Sequence, residues 1–467
     1  MSAAASTLGE LRASGWNERS VKEELRENLI SRLRSDEPIF DGIVGYDDTV
    51  LPGLERAILA SHDVIILGER GQAKTRMIRS LVGLLDPELP IIAGCEINDS
   101  PFAPICARCR ELIAEKGDAT PVEWIGRDRR YAEKLATPDA SVADLIGDVD
   151  PIRVAEGRYL GDELTIHFGL VPRTHRGIFS INELPDLPSR IQVALLNILE
   201  ERDVQIRGYK IRLPIDLMLV ASANPEDYTN RGRIITPLKD RFGSEVRTHY
   251  PEHIEDEIEI MEQEAKPSSA AVPVRVPVFL TEVLAEFTRQ VRRSPHVNQR
   301  SGVSVRFSIG NLEVIAASAM RRAVRTGEPE AVPRVADLPA VLQSSMGRVE
   351  FETFEEGREP EIMDRMLHQA TLEVFRRRLG GFDFAALLKR FDEEGLEVLS
   401  GDLTPAQDLL KQVGGMKGLA QLMKRLGVED ESPAHAASAL EFSLEGLHLS
   451  RRLNKHDTPH GARYTAD

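Results

Sequence analysis

The sequence predicts an α/β fold in which a parallel sheet domain is followed by helices. Between about residues 39 and 265, short apolar strands alternate with helical stretches, as in a parallel sheet covered on both faces. A glycine-rich loop stands directly between the first such strand and a helical run. Beyond residue 279, apolar residues recur at helical rather than strand spacing.

Bulk composition is that of a globular chain with room for several domains. The chain has 467 residues, of which 42% are hydrophobic and 29% are charged. No apolar run approaches the roughly 20 residues needed to span a bilayer. The N-terminus lacks the basic start and apolar stretch of a secretion signal. We therefore expect a cytoplasmic protein without a membrane segment.

Net charge bears on the choice of partner. Acidic residues outnumber basic ones by 75 to 59, which gives a net charge of −16. A sequence-independent nucleic-acid surface needs clustered Lys and Arg. The composition therefore argues against nucleic acid as a partner, although a local basic pore is compatible with it.

The pattern divides the chain into four segments. A helical segment covers 1–38, and the α/β domain covers 39–265. After a Pro- and Ser-rich linker at 266–278, we expect a helical lid at 279–350 and a helical extension at 351–467 with a frayed tail. Within the α/β domain we expect an irregular insertion at about 95–170, a hairpin at 205–212, and strands at 63–67, 90–93, 177–181 and 216–222.

The sharpest motif follows the first strand and opens a helix. In a phosphate-binding loop, small residues let backbone N–H groups surround phosphates, a lysine reaches the β- and γ-phosphates, and a hydroxyl binds Mg²⁺. Ala73 stands where glycine is usual, and we expect its methyl group to be tolerated if φ is negative. The motif predicts a site for ATP and Mg²⁺, formed by Gly68, Glu69, Arg70, Gly71, Gln72, Ala73, Lys74 and Thr75.

Two further strands end in polar residues that suit the same chemistry. Asn182 and Glu183 follow one strand, where the first position orients Mg²⁺ and the second activates the attacking water. Asn182 stands where an aspartate is expected, so we expect slower turnover or weaker Mg²⁺ affinity. Asn224 ends another buried strand and is placed to hold the attacking water.

A fourth element predicts a site that two subunits share. Arg241 follows a helical stretch and precedes a strand at 244–249, which places it to face a neighbouring subunit. There it would stabilise charge on the transferred phosphoryl group as an arginine finger. Each motif alone is weak, because Asn224 can cap a turn and Arg241 can form a surface ion pair. Their common order along the chain is the stronger signal.

The three cysteines, Cys95, Cys106 and Cys109, fall within one short segment. A C-x-x-C pair beside a third cysteine suits part of a metal site or a redox switch. It also suits three reduced thiols in a loop, and the segment has no histidine to serve as a fourth zinc ligand. The sequence leaves these three interpretations open.

With these motifs in order, the sequence resembles AAA+ ATPases of the magnesium-chelatase I-subunit and MoxR branch. The loop GERGQAKT is similar to the MoxR form G-x-x-G-x-A-K-T, and AGCEIND, GLVPRTHRGIFSINEL and LKDRFG are similar to the I-subunit pattern. The match covers about residues 40–350. It implies a P-loop AAA+ domain with a helical lid, a homo-oligomeric ring that we expect to be a hexamer, and an ATP site shared between subunits.

The resemblance also implies roles for further residues. Ile43, Val44 and Gly45 would line the adenine pocket, and Arg306 would be a second sensor arginine that touches the γ-phosphate, with Arg300 as its nearby competitor. Residues 360–467 match no pattern of the family. Because family members act through a second protein, the resemblance implies a partner with an integrin-like metal-binding domain.

Three functions fit these observations. The first is an ATP-hydrolysing ring that couples turnover to remodelling or metal loading of a partner; insertion of Mg²⁺ into a porphyrin is a special case, for which no macrocycle site is apparent. The second is a nucleotide-gated scaffold that barely hydrolyses ATP because of Asn182. The third is a sigma-remodelling transcriptional activator, which the lack of a GAFTGA-like loop and of a helix-turn-helix pattern disfavours.

Overall fold

The computed structural model describes residues 5–35, 37–150, 152, 163–205, 212–225, 233–267, 271–299, 301–352, 357–414, 418–428, 432–459 and 461–466. The chain divides into two compact units, Met1–His249 and Tyr250–Asp467. The segment boundaries expected at 39, 265, 279 and 351 stay predictions.

The first unit is built on a five-stranded sheet in the order β5-β1-β4-β3-β2. Every neighbouring pair in it is parallel. The carboxyl ends of the strands therefore share one edge, which brings the residues after β1, β3 and β4 together. The strands are β1 (Val64–Leu67), β2 (Tyr131–Leu135), β3 (Gly177–Asn182), β4 (Leu217–Ala223) and β5 (Ser244–Arg247).

Both faces of this sheet are covered. In β1, Ile65 and Leu67 pack into one apolar cluster, whereas Val64 and Ile66 pack into another. This two-residue alternation explains why the strand is apolar throughout. The helices described in this unit are Leu8–Ala13, Val21–Ser35, Val50–Leu59, Lys74–Ser80, Ala107–Lys116, Val142–Leu145, Leu170–Arg173, Ser189–Glu200 and Thr236–Arg241.

The expected irregular insertion at 95–170 is wrong in one important respect, because it contains β2. This strand has the polar sequence YAEKL and lies next to β3 at the edge of the described sheet. Because its side chains are mostly half-buried, it does not need an apolar run. The expected strand at 90–93 lies outside the parallel sheet: Glu88–Ile92 pairs antiparallel with Val122–Gly126. Two further antiparallel pairs join Gly147–Val149 to Ile166–Phe168 and Asp203–Gln205 to Arg212–Pro214; the turn of the second, at 206–211, lies outside the described residues.

The second unit is mainly helical and has one large apolar cluster beside a small one around Ala319, Ala323 and Ala331. Phe279, in the expected lid, and Phe442, in the expected extension, have ring centroids 4.7 Å apart within this core. The helices described are Ile254–Glu264, Val278–Arg293, Val305–Thr326, Pro339–Ser345, Glu359–Leu379, Ala385–Glu394, Ala406–Val413, Leu419–Arg425 and Pro433–Leu449. Among the helices in the described ranges, none is both long and apolar enough to cross a membrane.

The expected frayed tail is wrong, because residues near the C-terminus form strands. Asn454–Thr458 and Gly461–Thr465 make an antiparallel hairpin, and Val398–Ser400 pairs with the second of these strands. The hairpin is fastened to the core by Tyr464, whose hydroxyl donates to Glu445 over 2.6 Å. The extension is therefore not purely helical.

Candidate nucleotide-binding site

The glycine-rich loop runs from the end of β1 to the helix Lys74–Ser80. A Cβ atom at Gly68 would lie 1.7 Å from Thr248 Oγ1 and 2.4 Å from Gln72 Oε1, so no side chain fits there. Gly71 has a φ of 76°, in the left-handed region that favours glycine. The backbone therefore favours glycine at position 71, and the side chains of Thr248 and Gln72 crowd out a side chain at position 68.

Ala73 departs from the conformation expected of it. It is the N-cap residue of the helix and has a φ of 54°, where we had expected a negative value. An L-residue in the left-handed region costs roughly 1–2 kcal/mol relative to right-handed backbone. The methyl group is thus accommodated at the cost of backbone strain, beside the residue that should bind phosphate.

The amide of Gln72 braces the loop from inside. Its Oε1 accepts from the backbone N–H of Glu69 over 2.9 Å and from the hydroxyl of Thr248, just after β5, over 2.6 Å. The hydroxyl of Tyr46 donates to the carbonyl oxygen of Gln72 over 3.3 Å and to that of His249 over 2.6 Å. No sequence motif indicated this role for Tyr46.

Tyr46 also bears on the expected adenine pocket. Ile43, Val44 and Gly45 directly precede it, and Ile43 is buried in the same apolar cluster as Tyr46. The segment is therefore anchored beside the phosphate loop. Its role in holding a base stays a prediction.

Lys74, Asn224 and Glu183 form one chain of hydrogen bonds. The ammonium group of Lys74 donates to Asn224 Oδ1 over 2.7 Å, and Asn224 Nδ2 donates to Glu183 Oε2 over 2.7 Å. Lys74 also donates to the carbonyl oxygens of Gly68 and Glu69. Three residues that lie far apart in the sequence, after β1, β3 and β4, thus meet at the carboxyl edge of the sheet.

Glu183 is held in a strained backbone conformation. Its φ is 57°, which is uncommon for a residue other than glycine. Its N–H donates to the hydroxyl of Ser222 over 3.2 Å, which ties the end of β3 to β4. Strain of this kind persists where surrounding contacts fix the backbone, and it is frequent at active sites.

Asn182 faces a carboxylate that sequence reasoning missed. Its Nδ2 donates to Glu133 Oε1 over 2.5 Å, and its Oδ1 accepts from Ser222 over 3.2 Å. Glu133 lies on β2 and is bound by the guanidinium of Arg79 over 2.9 and 3.1 Å. A negative charge therefore stands beside position 182, supplied by the neighbouring strand.

Glu133 is ionised more readily than a typical glutamate. Partial burial opposes its charge, but hydrogen bonds from Arg79 and Tyr131 outweigh the burial and hold the pKa of Glu133 below its usual value. Burial and the Glu133 carboxylate together raise the pKa of Tyr131 to about 12, so its hydroxyl stays protonated and donates to Glu133 over 2.9 Å. The carboxylate is thus a fixed charge.

The oxygen donors near this carboxylate suit Mg²⁺, which prefers hard oxygen ligands. Thr75 is half-buried, and Arg79, one helical turn further on, shares its face of the helix. Arg79 binds the carboxylate of Glu133, which in turn accepts from the amide of Asn182, and Thr75 lies one turn before Arg79 on the same helix. This donor set fits the expected ion.

Arg241 is separate from this chain of hydrogen bonds, and Arg306 belongs to the second unit. Arg241, the last residue of its helix, pairs with Glu200 through Nε at 2.8 Å and Nη2 at 2.7 Å. Within the described ranges, Arg241 contacts Glu200 and the carbonyl oxygen of Pro237 rather than Lys74, Asn224 or Glu183. Arg306 is exposed in the second unit, near the start of the helix Val305–Thr326. Its role as a sensor stays a prediction.

Parts of this chain are similar in sequence to known proteins. The sigma-54 interaction domain family matches residues 154–240, a stretch that includes β3 and β4. The magnesium-chelatase 38 kDa subunit of Rhodobacter capsulatus is 30% identical over 235 residues, covering 48% of this chain and 59% of that protein. The chloroplastic magnesium-chelatase subunit ChlI-1 of Arabidopsis thaliana is 29% identical over 243 residues, covering 49% and 51%. The match thus spans less than two thirds of the length of these relatives.

Solved structures are similar only at a distance. NtrX from Brucella abortus has a TM-score of 0.41 at 18% identity, covering 78% of this chain and 72% of that one. A cryo-EM-based structure of the complex between BchI and BchD of magnesium chelatase has a TM-score of 0.35 at 21% identity, covering 67% and 97%. Likenesses this distant carry no argument here.

The fold and the site define a P-loop protein: a parallel α/β sheet whose phosphate loop joins the first strand to a helix, with the strand-end residues gathered beside its lysine. The first unit is thus an AAA+ domain whose sequence is similar to that of magnesium-chelatase I subunits, in agreement with the resemblance. The sigma-54 match covers only the part of the domain that carries the nucleotide-site strands, and the chain has no GAFTGA sequence.

Proposed function

We propose that this chain binds ATP with Mg²⁺ at the phosphate loop and hydrolyses it, as the AAA+ subunit of a ring that remodels or loads metal into a partner protein. The observation that carries the proposal is the hydrogen-bonded chain Lys74–Asn224–Glu183. It joins the phosphate-binding cation to a carboxylate suited to act as general base, through an amide able to hold water between them.

Each residue has a distinct task in this proposal. Lys74 exchanges its present partners for the β- and γ-phosphates, as a point charge. Glu183 accepts a proton from the attacking water, while Asn224 keeps both groups in place. Mg²⁺, when bound, neutralises phosphate charge, and Thr75, Asn182 and Glu133 would hold it. The charge of Glu133 weakens the case for a scaffold that barely hydrolyses ATP, because that case depended on a neutral position 182.

The assembly and the partner belong to the proposal. A ring of six copies, the MoxR-like loop, a cytoplasmic location and a partner with an integrin-like domain rest on the resemblance. Arg241 supports a shared site, because its partly exposed side chain lies at a helix end, away from the chain that links Lys74 to Glu183. Insertion of Mg²⁺ into a porphyrin is a narrower candidate, favoured by the relatives' names alone.

The test is nucleotide binding and phosphate release by the full chain. Lys74→Ala should abolish ATP binding at micromolar nucleotide by calorimetry, whereas Lys116→Ala, at an exposed helix end, should not. Glu183→Gln should bind ATP but release phosphate about 10²–10⁴-fold more slowly, as loss of a positioned base predicts. Glu115→Gln is its exposed control. Unchanged binding in Lys74→Ala would overturn the site, and wild-type turnover in Glu183→Gln would remove its role as base.

A further inference from the structure

Outside the nucleotide site, three thiols and one carboxylate meet in the interior of the first unit. One ligand atom from each of Cys95, Asp99, Cys106 and Cys109 lies within 4.8 Å of every other. The exposed fractions of these residues are 5%, 0%, 6% and 0%. The sequence presented the three cysteines without a fourth ligand; the structure supplies one, an aspartate rather than a histidine.

The chain is folded to bring these groups together. Cys95 follows a turn at Gly94, whose φ is 69°, just after the strand Glu88–Ile92. Cys106 is the N-cap of the helix Ala107–Lys116, which places Cys109 in its first turn. The carboxylate of Asp99 accepts from the backbone N–H of Ile105 over 3.1 Å and from that of Cys106 over 3.0 Å.

Two sulfur atoms already accept backbone hydrogen bonds. The N–H of Cys109 donates to Cys106 Sγ over 3.4 Å, and the N–H of Asp99 donates to Cys95 Sγ over 3.4 Å. Such donors favour the thiolate form, which is the form that binds metal. They also act as the outer partners that orient metal ligands.

A buried carboxylate beside three thiols calls for a compensating positive charge. Within the part of the chain that the structure describes, the Asp99 carboxylate is bound by the backbone N–H groups of Ile105 and Cys106 and by the Cys106 thiol, rather than by a lysine or arginine. A divalent cation among the four ligands would supply that charge. Arg108 lies nearby, but its guanidinium donates to the carbonyl oxygen of Gly94.

We propose that Cys95, Asp99, Cys106 and Cys109 bind one zinc ion as a closed structural site. Zinc bonds of about 2.3 Å to sulfur and 2.0–2.2 Å to oxygen place tetrahedral ligand atoms roughly 3.5–3.8 Å apart, which this cluster reaches with small movements. Thiolates select zinc over Mg²⁺ or Ca²⁺. The ligand atoms are too close together to surround a four-iron cluster. Four protein ligands leave no open position, so the ion would be structural rather than catalytic.

The site has a clear structural purpose. The three cysteine side chains belong to the same apolar cluster as Leu67 and Ile181, which end β1 and precede Asn182 in β3. Zinc would therefore fasten the segment 95–109 to the layer that supports the nucleotide site. A disulfide within the cluster is the competing chemistry, and the experiment below separates the two.

The experiment measures metal on the full chain, purified without chelator, by elemental mass spectrometry. We expect about one zinc per chain that survives dialysis against EDTA and that is released as a mercurial binds the three thiols. Cys106→Ser should lose most of the zinc. Asp99→Asn should lower zinc affinity in chelator competition by at least about tenfold, since loss of even an outer partner costs 10–100-fold. Glu96→Gln, an exposed carboxylate in the same loop, is the matched control and should keep its zinc.

A second measurement does not depend on the variants folding. The wild-type chain grown with cobalt should show the intense visible bands of a tetrahedral site and a near-ultraviolet thiolate-to-cobalt band. A metal-free chain whose three thiols react freely, or a disulfide found by mass spectrometry under native conditions, would overturn the proposal. Full zinc affinity in Asp99→Asn would remove the aspartate from the site.

Discussion

The side-chain amide of Asn182 donates to the carboxylate of Glu133 over 2.5 Å, across the boundary between β3 and β2. The position that lacks a carboxylate therefore stands beside one on the next strand, and Arg79 fixes that carboxylate to the phosphate-loop helix. The negative charge expected at the end of β3 is therefore supplied by Glu133 on the neighbouring strand β2.

This relationship predicts that Asn182→Asp alone will not improve the site. Two carboxylates within hydrogen-bond distance cannot both ionise easily, so one pKa rises and the added charge is partly cancelled. Glu133→Gln should weaken Mg²⁺-dependent nucleotide binding, and the double variant Asn182→Asp/Glu133→Gln should restore it. A Mg²⁺ titration with a fluorescent ATP analogue measures all three.

The control for this cycle is Glu123→Gln, a partly exposed carboxylate on the strand before β2. If Asn182→Asp alone raises Mg²⁺ affinity and Glu133→Gln leaves it unchanged, then Glu133 does not serve the site. The original expectation, that the asparagine itself weakens Mg²⁺ binding, would then stand.

Ala73 offers a prediction about stability. Ala73→Gly should remove the strain of a left-handed alanine, which costs the folded chain roughly 1–2 kcal/mol. Glycine has more freedom in the unfolded chain, and this offsets about 0.5–1 kcal/mol of the gain in stability. We expect the free energy of unfolding without nucleotide to rise by up to about 1 kcal/mol. Urea denaturation measures it, and the exposed helical variant Ala114→Gly should instead lose about 1 kcal/mol. Destabilisation by Ala73→Gly would show that its backbone carries no strain.

The phosphate loop and the ends of β3 and β4 could be predicted from the sequence because their signals are local. A buried strand is an unbroken apolar run, and the polar residue that ends it stands out. Glu133 could not be found this way, since β2 is a polar edge strand and its partner Asn182 is remote in sequence. Nothing in a one-dimensional pattern announces that two strands will be neighbours.

The same limit explains the cysteine cluster and the C-terminal hairpin. Asp99 lies among the cysteines in sequence, but an aspartate in a loop is ordinary until its carboxylate is seen to be buried. The residues before Tyr464 are polar, so they suggested a tail; pairing with Val398–Ser400 and the contact of Tyr464 with Glu445 hold them in place. Long-range pairing, rather than local preference, decides both cases.

The hairpin yields a prediction about the second unit. Burial would raise the pKa of Glu445, but Lys455 at 2.8 Å and Tyr464 outweigh it and hold the pKa low. Tyr464→Phe removes one hydrogen bond to a buried charge and should cost roughly 1.5–3 kcal/mol. Thermal unfolding measures it.

The pH dependence of that contact has a definite sign. A carboxyl group with a lowered folded-state pKa contributes stability above its ordinary value, here 4.5, and the contribution is lost as the pH falls below that value. Glu445→Gln should therefore flatten the acid side of the stability curve. Equal steepness in the variant and the wild type would show that folding does not lower the pKa of Glu445.

Arg241 provides the test of the ring. An arginine finger is worth about 10³–10⁵ in rate. If Arg241 acts on the neighbouring subunit's site, Arg241→Ala should bind a fluorescent ATP analogue normally yet fail to hydrolyse ATP. Glu200→Gln, which removes the ion-pair partner but keeps the guanidinium, is the matched control and should retain hydrolysis.

Mixing two inactive variants then distinguishes a site formed by two subunits from a site formed within one subunit. Lys74→Ala has an empty pocket beside an intact arginine, whereas Arg241→Ala has the reverse defect. A mixed ring contains some interfaces with one good pocket and one good arginine, so activity should rise from near zero and peak at intermediate ratios. An arginine that serves only its own subunit gives no such rescue, because every chain then lacks one essential group. A flat mixing curve, with mixed assembly verified by native mass spectrometry, would rule out the shared site and leave the ring without functional support.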